Sequence, residues 1–231
     1  MQIKFIGTGG AFDHEYGNSS ALVSMSGKHI LIDCGYNVYP RLAEKQVVDL
    51  IDYIVITHLH DDHAGSLATA LLHRKHRSAV HIKPTILYPN EEFLADVQAF
   101  LAFSLLKPDN YAHFAPIQSV QGVGAIETTN LHAVGMKSFA YYFRENDELI
   151  LYSGDIGQPE LLFEFLGRQQ AGSIRVFHEM CFANADGVHT HYKKLIPYLK
   201  QYEIYAYHLN PQMAPADNPI PLVYHQPAFM L

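Results

Sequence analysis

Ile54-Val55-Ile56-Thr57-His58-Leu59-His60-Asp61-Asp62-His63-Ala64-Gly65 is the stretch on which the reading of this chain turns. The β-branched run Ile54 to Ile56 predicts a buried strand. From Thr57 onward the chain leaves the sheet at the strand's end, where the backbone turns sharply and side chains converge. Three imidazoles with carboxylates beside them, packed into one turn, predict a metal site. Neutral imidazole and carboxylate suit zinc, manganese or iron, and two imidazoles spaced by one residue reach a single ion from the same side. A lone histidine is ordinary surface or core filler; a cluster of this density between a strand and the small pair Ala64 and Gly65 is not.

Outward from this turn, four further ligand types stand at the ends of apolar runs. Asp33 ends the strand His29 to Ile32 and precedes Cys34 and Gly35. His132 ends Ile126 to Leu131, Asp155 follows Leu149 to Tyr152 through Ser153 and Gly154, and His208 ends Ile204 to Tyr207. The C-terminal ends of strands are where α/β architectures gather reactive groups. Taken together, the four can complete a two-metal site.

The remaining pattern predicts strands at Ile3–Ile6, Ala21–Met25 and Phe139–Arg144, with Tyr53–Thr57 and Glu148–Tyr152 already placed and Ile174–His178 extended. Helices are expected over Leu67–His76, Glu91–Leu106 with Asn90 as N-cap, Pro159–Gly167 and Thr190–Tyr202. A strand block, helices, a second strand block and further helices suit two sheets packed face to face with helices outside, an α/β four-layer arrangement. Composition is 48% hydrophobic and 17% charged over 231 residues, without repeats or linker-like stretches, so residues 1–231 read as one domain. The net charge of −7 argues against an extended nucleic-acid footprint. The N-terminus opens directly as a strand, with no apolar run that would serve as a signal or membrane span, and two cysteines are too few for a disulfide framework. A soluble, cytoplasmic protein without a membrane partner is expected.

Thr57 to Gly65, reading THLHDDHAG, together with Asp33, His132, Asp155 and His208 in that order, resembles the metallo-β-lactamase fold hydrolases, and the likeness runs from FIGTGG at Phe5–Gly10 through His208. The resemblance implies an αββα sandwich and two divalent ions, zinc first, with manganese or iron as alternatives. His58, His60 and His132 would hold one ion and Asp62, His63 and His208 the other, with Asp155 between them and Asp33 behind, orienting the motif loop. It also implies hydrolysis, with Asp62 orienting the attacking water or taking its proton.

VFHEMCF at Val176–Phe182, followed by Gly187-Val188-His189-Thr190, resembles the secondary motifs of ribonuclease Z and its phosphodiesterase relatives, and GTGGAF with Asn18, Ser19 and Ser20 points the same way. In that branch His189 would protonate the leaving oxygen with support from Glu179; His191 competes for the role. The interval from His132 to Asp155 has room for a hairpin and not for a transfer-RNA-gripping arm, which favours a small phosphodiester, a cyclic nucleotide above all. RNA 3′-end processing and thioester or lactam hydrolysis are the alternatives. Tyr88 to Ile117 reads as an aromatic-rich insertion whose Tyr111, His113 and Phe114 could form a lid over the substrate, or whose phenyl rings could seat a second copy in a homodimer. His14, in the small-residue loop after GTGG, is a further substrate candidate.

Overall fold

The structure, a computed structural model, describes residues 1–183 and 187–231. Its strands form two sheets. The first runs β1 (Gln2–Gly7), β2 (Ser20–Met25), β3 (Lys28–Ile32), β4 (Tyr53–Val55), β5 (Thr85–Tyr88) and β6 (His113–Pro116) in chain order. Its first three strands pair antiparallel and the rest parallel. The second contains β7 (Val123–Glu127), β8 (Phe139–Glu145), β9 (Glu148–Tyr152), β10 (Ser173–Glu179) and β11 (Glu203–Tyr207), ordered β11-β10-β9-β8-β7. Helices α1 (Val38–Glu44), α2 (Asp61–Ala64), α3 (Leu67–His76), α4 (Glu91–Leu105) and α5 (Glu160–Gly167) connect them.

The period-two rule of a strand explains the layering. Along β8 and β9, Tyr141, Phe143, Ile150 and Tyr152 face the first sheet, while Ala140, Leu149 and Leu151 face the other way and join Leu162 and Leu166 of α5. Between the sheets, the Phe5 ring of β1 stands 6.0 Å from Tyr152, 5.4 Å from Phe177 and 5.5 Å from Tyr207, so one edge strand of the first sheet packs on three strands of the second. This is the expected four-layer αββα sandwich.

Most elements lie where the sequence places them. Leu67–His76 and Glu148–Tyr152 agree at both ends, and the Asn90 side chain caps α4 by accepting from Phe93 N at 2.8 Å. Three differ. The strand expected to reach His132 stops at Glu127, because its partner β8 begins opposite at Phe139; Thr128 to Met136 then folds on itself, with Asn130 in the left-handed region. Thr190–Tyr202 is not an α-helix but two 3-10 turns, Tyr192–Lys194 and Ile196–Tyr198, since Pro197 lacks the N–H that a continuous helix needs. The stretch 88–117 is not an added lid. It is the β5-α4-β6 crossover that completes the first sheet, with Phe93 buried against Phe139 at 4.9 Å.

Candidate metal and phosphodiester site

Several chain segments meet where the two sheets touch. Phe139 N of β8 donates to Thr57 O at 2.9 Å, and the Tyr141 hydroxyl donates to Ile56 O at 2.8 Å, so the end of β4 is tied to the second sheet. Cys34 N donates to His63 O at 2.7 Å and Ser66 N returns to Cys34 O at 2.9 Å, which fixes the short helix α2 against the end of β3. His208 N donates to Thr8 O at 2.7 Å, joining the end of β11 to the end of β1. Three strands leave their sheets through left-handed residues: Asp33 at φ 61° after β3, Gly154 at φ 59° after β9 and His208 at φ 64° after β11. For Asp33 and His208 that conformation carries a cost of about 1–2 kcal/mol each, met by the contacts around them.

These turns bring seven sequence-predicted ligands into two groups, all buried but His60, which is half-buried. His58, His60 and His132 form one; Asp62, His63, Asp155 and His208 form the other, and within each group the ligand atoms lie within 4.8 Å of one another. In the first, His58 Nε2 is 2.9 Å and His132 Nε2 3.2 Å from His60 Nδ1. In the second, Asp62 Oδ2 is 3.3 Å from His208 Nε2 and 3.4 Å from His63 Nε2. Asp155 reaches His63 Nε2 at 3.5 Å through Oδ1 and His208 Nε2 at 3.4 Å through Oδ2. Asp155 also lies 3.8 Å from His132 Nε2, which places it between the groups.

Whether these residues fit a metal can be judged from spacing and from what lacks a partner. A tetrahedral ion with bonds of about 2.0 Å needs ligand atoms about 3.3 Å apart. The observed separations bracket that value. His63 Nε2 and Asp155 Oδ1 are fully buried and without a hydrogen-bond partner, an arrangement that costs free energy unless a cation lies between them. The outer nitrogens are occupied: His63 Nδ1 donates to Asp33 Oδ2 at 2.8 Å and His132 Nδ1 to Val188 O at 2.8 Å, leaving Nε2 of each to face inward as a lone pair. The donor set fits divalent ions.

Electrostatics agree. Burial holds the His58 imidazole well below its ordinary range and lowers His60 too, with neighbouring imidazoles adding to both, which favours their neutral, metal-binding form. Burial pushes the Asp62 and Asp155 carboxyls up, but His208 and His63 outweigh it and keep both ionised. Burial raises Asp33 against the pull of His63. For His63 itself, burial is outweighed by Asp155 and Asp33, which raise it well above the usual imidazole value; this field of carboxylates calls for positive charge at Nε2, which a bound cation would supply in place of the proton.

Next to the ligands, Glu179 Oε1 accepts from Ile156 N at 3.1 Å and Thr190 N at 2.9 Å, stitching the residue after Asp155 to the residue after His189. Its Oε2 stands 3.3 Å from His189 Nδ1, and the His189 ring lies between His132 and His208 at 5.1 and 5.2 Å. His191, the competing candidate, lies against Tyr192 with the rings tilted and 4.9 Å apart, and bridges to Cys181 through its backbone. Of the two histidines, it is His189 whose ring lies beside the ligand groups.

A cavity of about 430 Å³ opens onto His60, Asp62, His132, Asp155, His189 and His208. Four predicted substrate residues are not among its walls. Tyr111, His113 and Phe114 lie at the opposite end of the first sheet: His113 starts β6 across from Thr85, Phe114 pairs with Ile86, and Tyr111 receives the Lys75 ammonium over its ring at 4.2 Å. Parallel pairing forces this, because a strand parallel to β4 must begin at the end remote from Thr57. His14 hydrogen-bonds the Tyr36 hydroxyl at 2.8 Å, and the residues before it, Gly10 to Asp13, line the cavity instead. Between His132 and Asp155 the chain makes only a turn and the β8-β9 hairpin, as the short interval predicts.

The profile of the family described as Anti-Pycsar protein Apyc1 matches residues 1–221. The chain belongs to this family. It is 30% identical over 213 residues to the Anti-Pycsar protein Apyc1 of Paenibacillus sp. (strain J14), covering 85% of this chain and 83% of that relative. Among solved structures, it is similar to the metallo-beta-lactamase fold protein YhfI of Bacillus subtilis, with TM-score 0.71 at 17% identity over 94% of this chain and 88% of that one. The short form of human tRNase Z superposes with TM-score 0.65 at 20% identity, covering 92% and 94%. At these identities the two structures speak for the metallo-β-lactamase fold, which the chain shares with ribonuclease Z. Among the described residues, no helix is long and apolar enough to cross a membrane.

Proposed function

We propose that this enzyme, a metal-dependent phosphodiesterase of cyclic nucleotides, cleaves its substrate with Asp62 and His189 on opposite sides of the phosphodiester. The observation that carries the reading is the convergence of both ligand groups on Asp155, with His189 and its Glu179 partner at the rim. Two divalent ions held by His58, His60, His132 and by Asp62, His63, His208, with Asp155 shared, would supply Lewis acidity toward the phosphoryl oxygens and a lowered pKa for water at the centre. Asp62, kept ionised and partly open to the cavity, orients the attacking water and takes its proton. His189, its Nδ1 directed at Glu179, presents Nε2 toward the leaving oxygen and returns a proton to it, without which an alkoxide departs slowly. Asp33 and the Val188 carbonyl hold ligand imidazoles in the tautomer that points a lone pair inward.

The imidazole-rich first group favours zinc over harder ions. Exposed Phe103 and Leu106 near the end of α4 are an apolar surface suited to a homodimer contact. A cytoplasmic setting fits the substrate and the lack, among the described residues, of a disulfide joining Cys34 and Cys181. The test is elemental analysis of the purified protein together with a hydrolysis panel of cyclic mononucleotides and precursor transfer RNA. Near-stoichiometric metal at both sites, turnover of the cyclic substrates and a loss of about a hundredfold or more in Asp62→Asn are expected. Full activity in Asp62→Asn would sink the assignment.

A further inference from the structure

At the mouth of the cavity stands a side chain that neither the ligand groups nor the core accounts for. Phe12 lines the cavity yet is 93% exposed. An exposed phenyl is unremarkable on a loosely held loop, but this loop is braced on several sides. The Arg41 guanidinium of α1 donates to His14 O at 3.0 Å and Glu15 O at 2.9 Å, and the Tyr36 hydroxyl meets His14 Nδ1 at 2.8 Å. Inside the loop, Gly10 N donates to Asp13 Oδ2 at 3.2 Å and Gly9 N to Gly17 O at 2.7 Å. Gly17 is left-handed at φ 71° and lies so close on Arg41 that a Cβ would collide with the guanidinium. On its other side the loop abuts His208, whose carbonyl would stand 3.5 Å from a Cβ at Gly10. The chain thus braces the backbone of a loop that carries an apolar ring out into water beside a polar site.

We propose that Phe12 is the platform on which the nucleobase of the substrate stacks while its phosphodiester lies at the ligand groups. The proposal rests on the cyclic-nucleotide reading above. The cavity is within the size range of small-ligand sites. Its histidines and carboxylates answer the phosphate, and nothing among them answers a flat, weakly polar base. Phe12 is the one phenyl or phenol ring among the lining residues, flanked by Gly10 and Ala11, which leave its face open. Every base has a π-face, so such a platform takes pyrimidines and purines alike, and a ring on a braced backbone, with only two side-chain torsions to order, loses little entropy on binding. Phe12 therefore sets preference for a nucleotide over a diester without a base.

The experiment compares wild type, Phe12→Ala and Phe12→Tyr on cyclic nucleotides and on trimethylene phosphate, a six-membered cyclic diester with no base, followed by phosphorus NMR. For Phe12→Ala, KM for cyclic nucleotides should rise about fivefold or more, and selectivity for them over the base-free diester should fall by a similar factor. Phe12→Tyr should restore both. A KM for cyclic nucleotides unchanged in Phe12→Ala, in the face of active wild type, overturns the proposal. Equal loss on both diesters also overturns it, assigning Phe12 to loop structure, or to a subunit contact if sedimentation shifts as well. Wild type inactive on every cyclic nucleotide would instead remove the underlying reading, and the platform with it.

Discussion

His63 Nδ1 donates to Asp33 Oδ2 across 2.8 Å, with both side chains fully buried. The same carboxylate accepts from Thr57 N at 2.7 Å and from Thr57 Oγ1 at 2.9 Å, so one acid at the end of β3 fixes both the start of the motif loop and the tautomer of a ligand within it.

Asp33→Asn tests that coupling. An amide placed there can donate to His63 Nδ1, which would move the imidazole proton to Nε2 and remove the inward lone pair. Metal affinity should fall about 10- to 100-fold, seen as incomplete metal content after dialysis, while added metal restores part of the activity. Unchanged affinity would mean that Asp33 is a folding element alone.

His189 and His191 separate by leaving group. His189→Ala should lose about a hundred- to ten-thousand-fold on a cyclic nucleotide, whose alkoxide needs a proton, and far less on a p-nitrophenyl diester, whose phenolate does not. His191→Ala should track wild type on both. The ratio of the two kcat/KM values is the measurement.

Gly35 tests how closely α2 is set. A Cβ at that position would overlap the Asp62 carbonyl and press on the Asn18 side chain. Gly35→Ala should cost about 1–3 kcal/mol of stability by thermal denaturation and reduce activity more than stability alone accounts for, because Asp62 must shift. Fully retained activity would contradict the geometry.

His178 gives a pH signature away from the metal ligands. It is buried, its Nδ1 is bonded to Glu179 O at 2.6 Å, and burial lowers its pKa from 6.5, with Glu179 opposing. The unfolded chain thus takes up a proton that the folded chain refuses, so stability falls as pH drops below about 6.5 toward the lowered value and is unaffected above it. Against His178→Gln, the wild-type protein should show an extra slope of up to about 1.4 kcal/mol per pH unit in that window. Parallel denaturation profiles would show that His178 is not buried neutral.

Local pattern alone made much of this molecule legible. The β-branched run before Thr57, the alternation along β8 and β9 and the cap at Asn90 are properties of consecutive residues, and the ligand types at strand ends follow from them. Local pattern failed where a neighbour decides. Ile126 to His132, with β-branched Thr128 and Thr129, reads as a strand but has a partner only as far as Glu127. Tyr111 to Phe114 carries the aromatic content of a lid, yet parallel pairing with β5 sends it to the far end of the sheet.

By itself the sequence determined which residues could bind metal and that most of them would stand just past strand ends, His132 being the exception, because strand, turn and ligand chemistry are written over a few residues each. The division into two groups around Asp155 and the pairing of Glu179 with His189 were legible only through the family resemblance; the tertiary structure supplied their distances, set His191 apart on Tyr192 and braced the Phe12 loop at the cavity mouth. Those relations join positions far apart in the chain, and they exist only once two sheets have packed through Phe5, Tyr152, Phe177 and Tyr207.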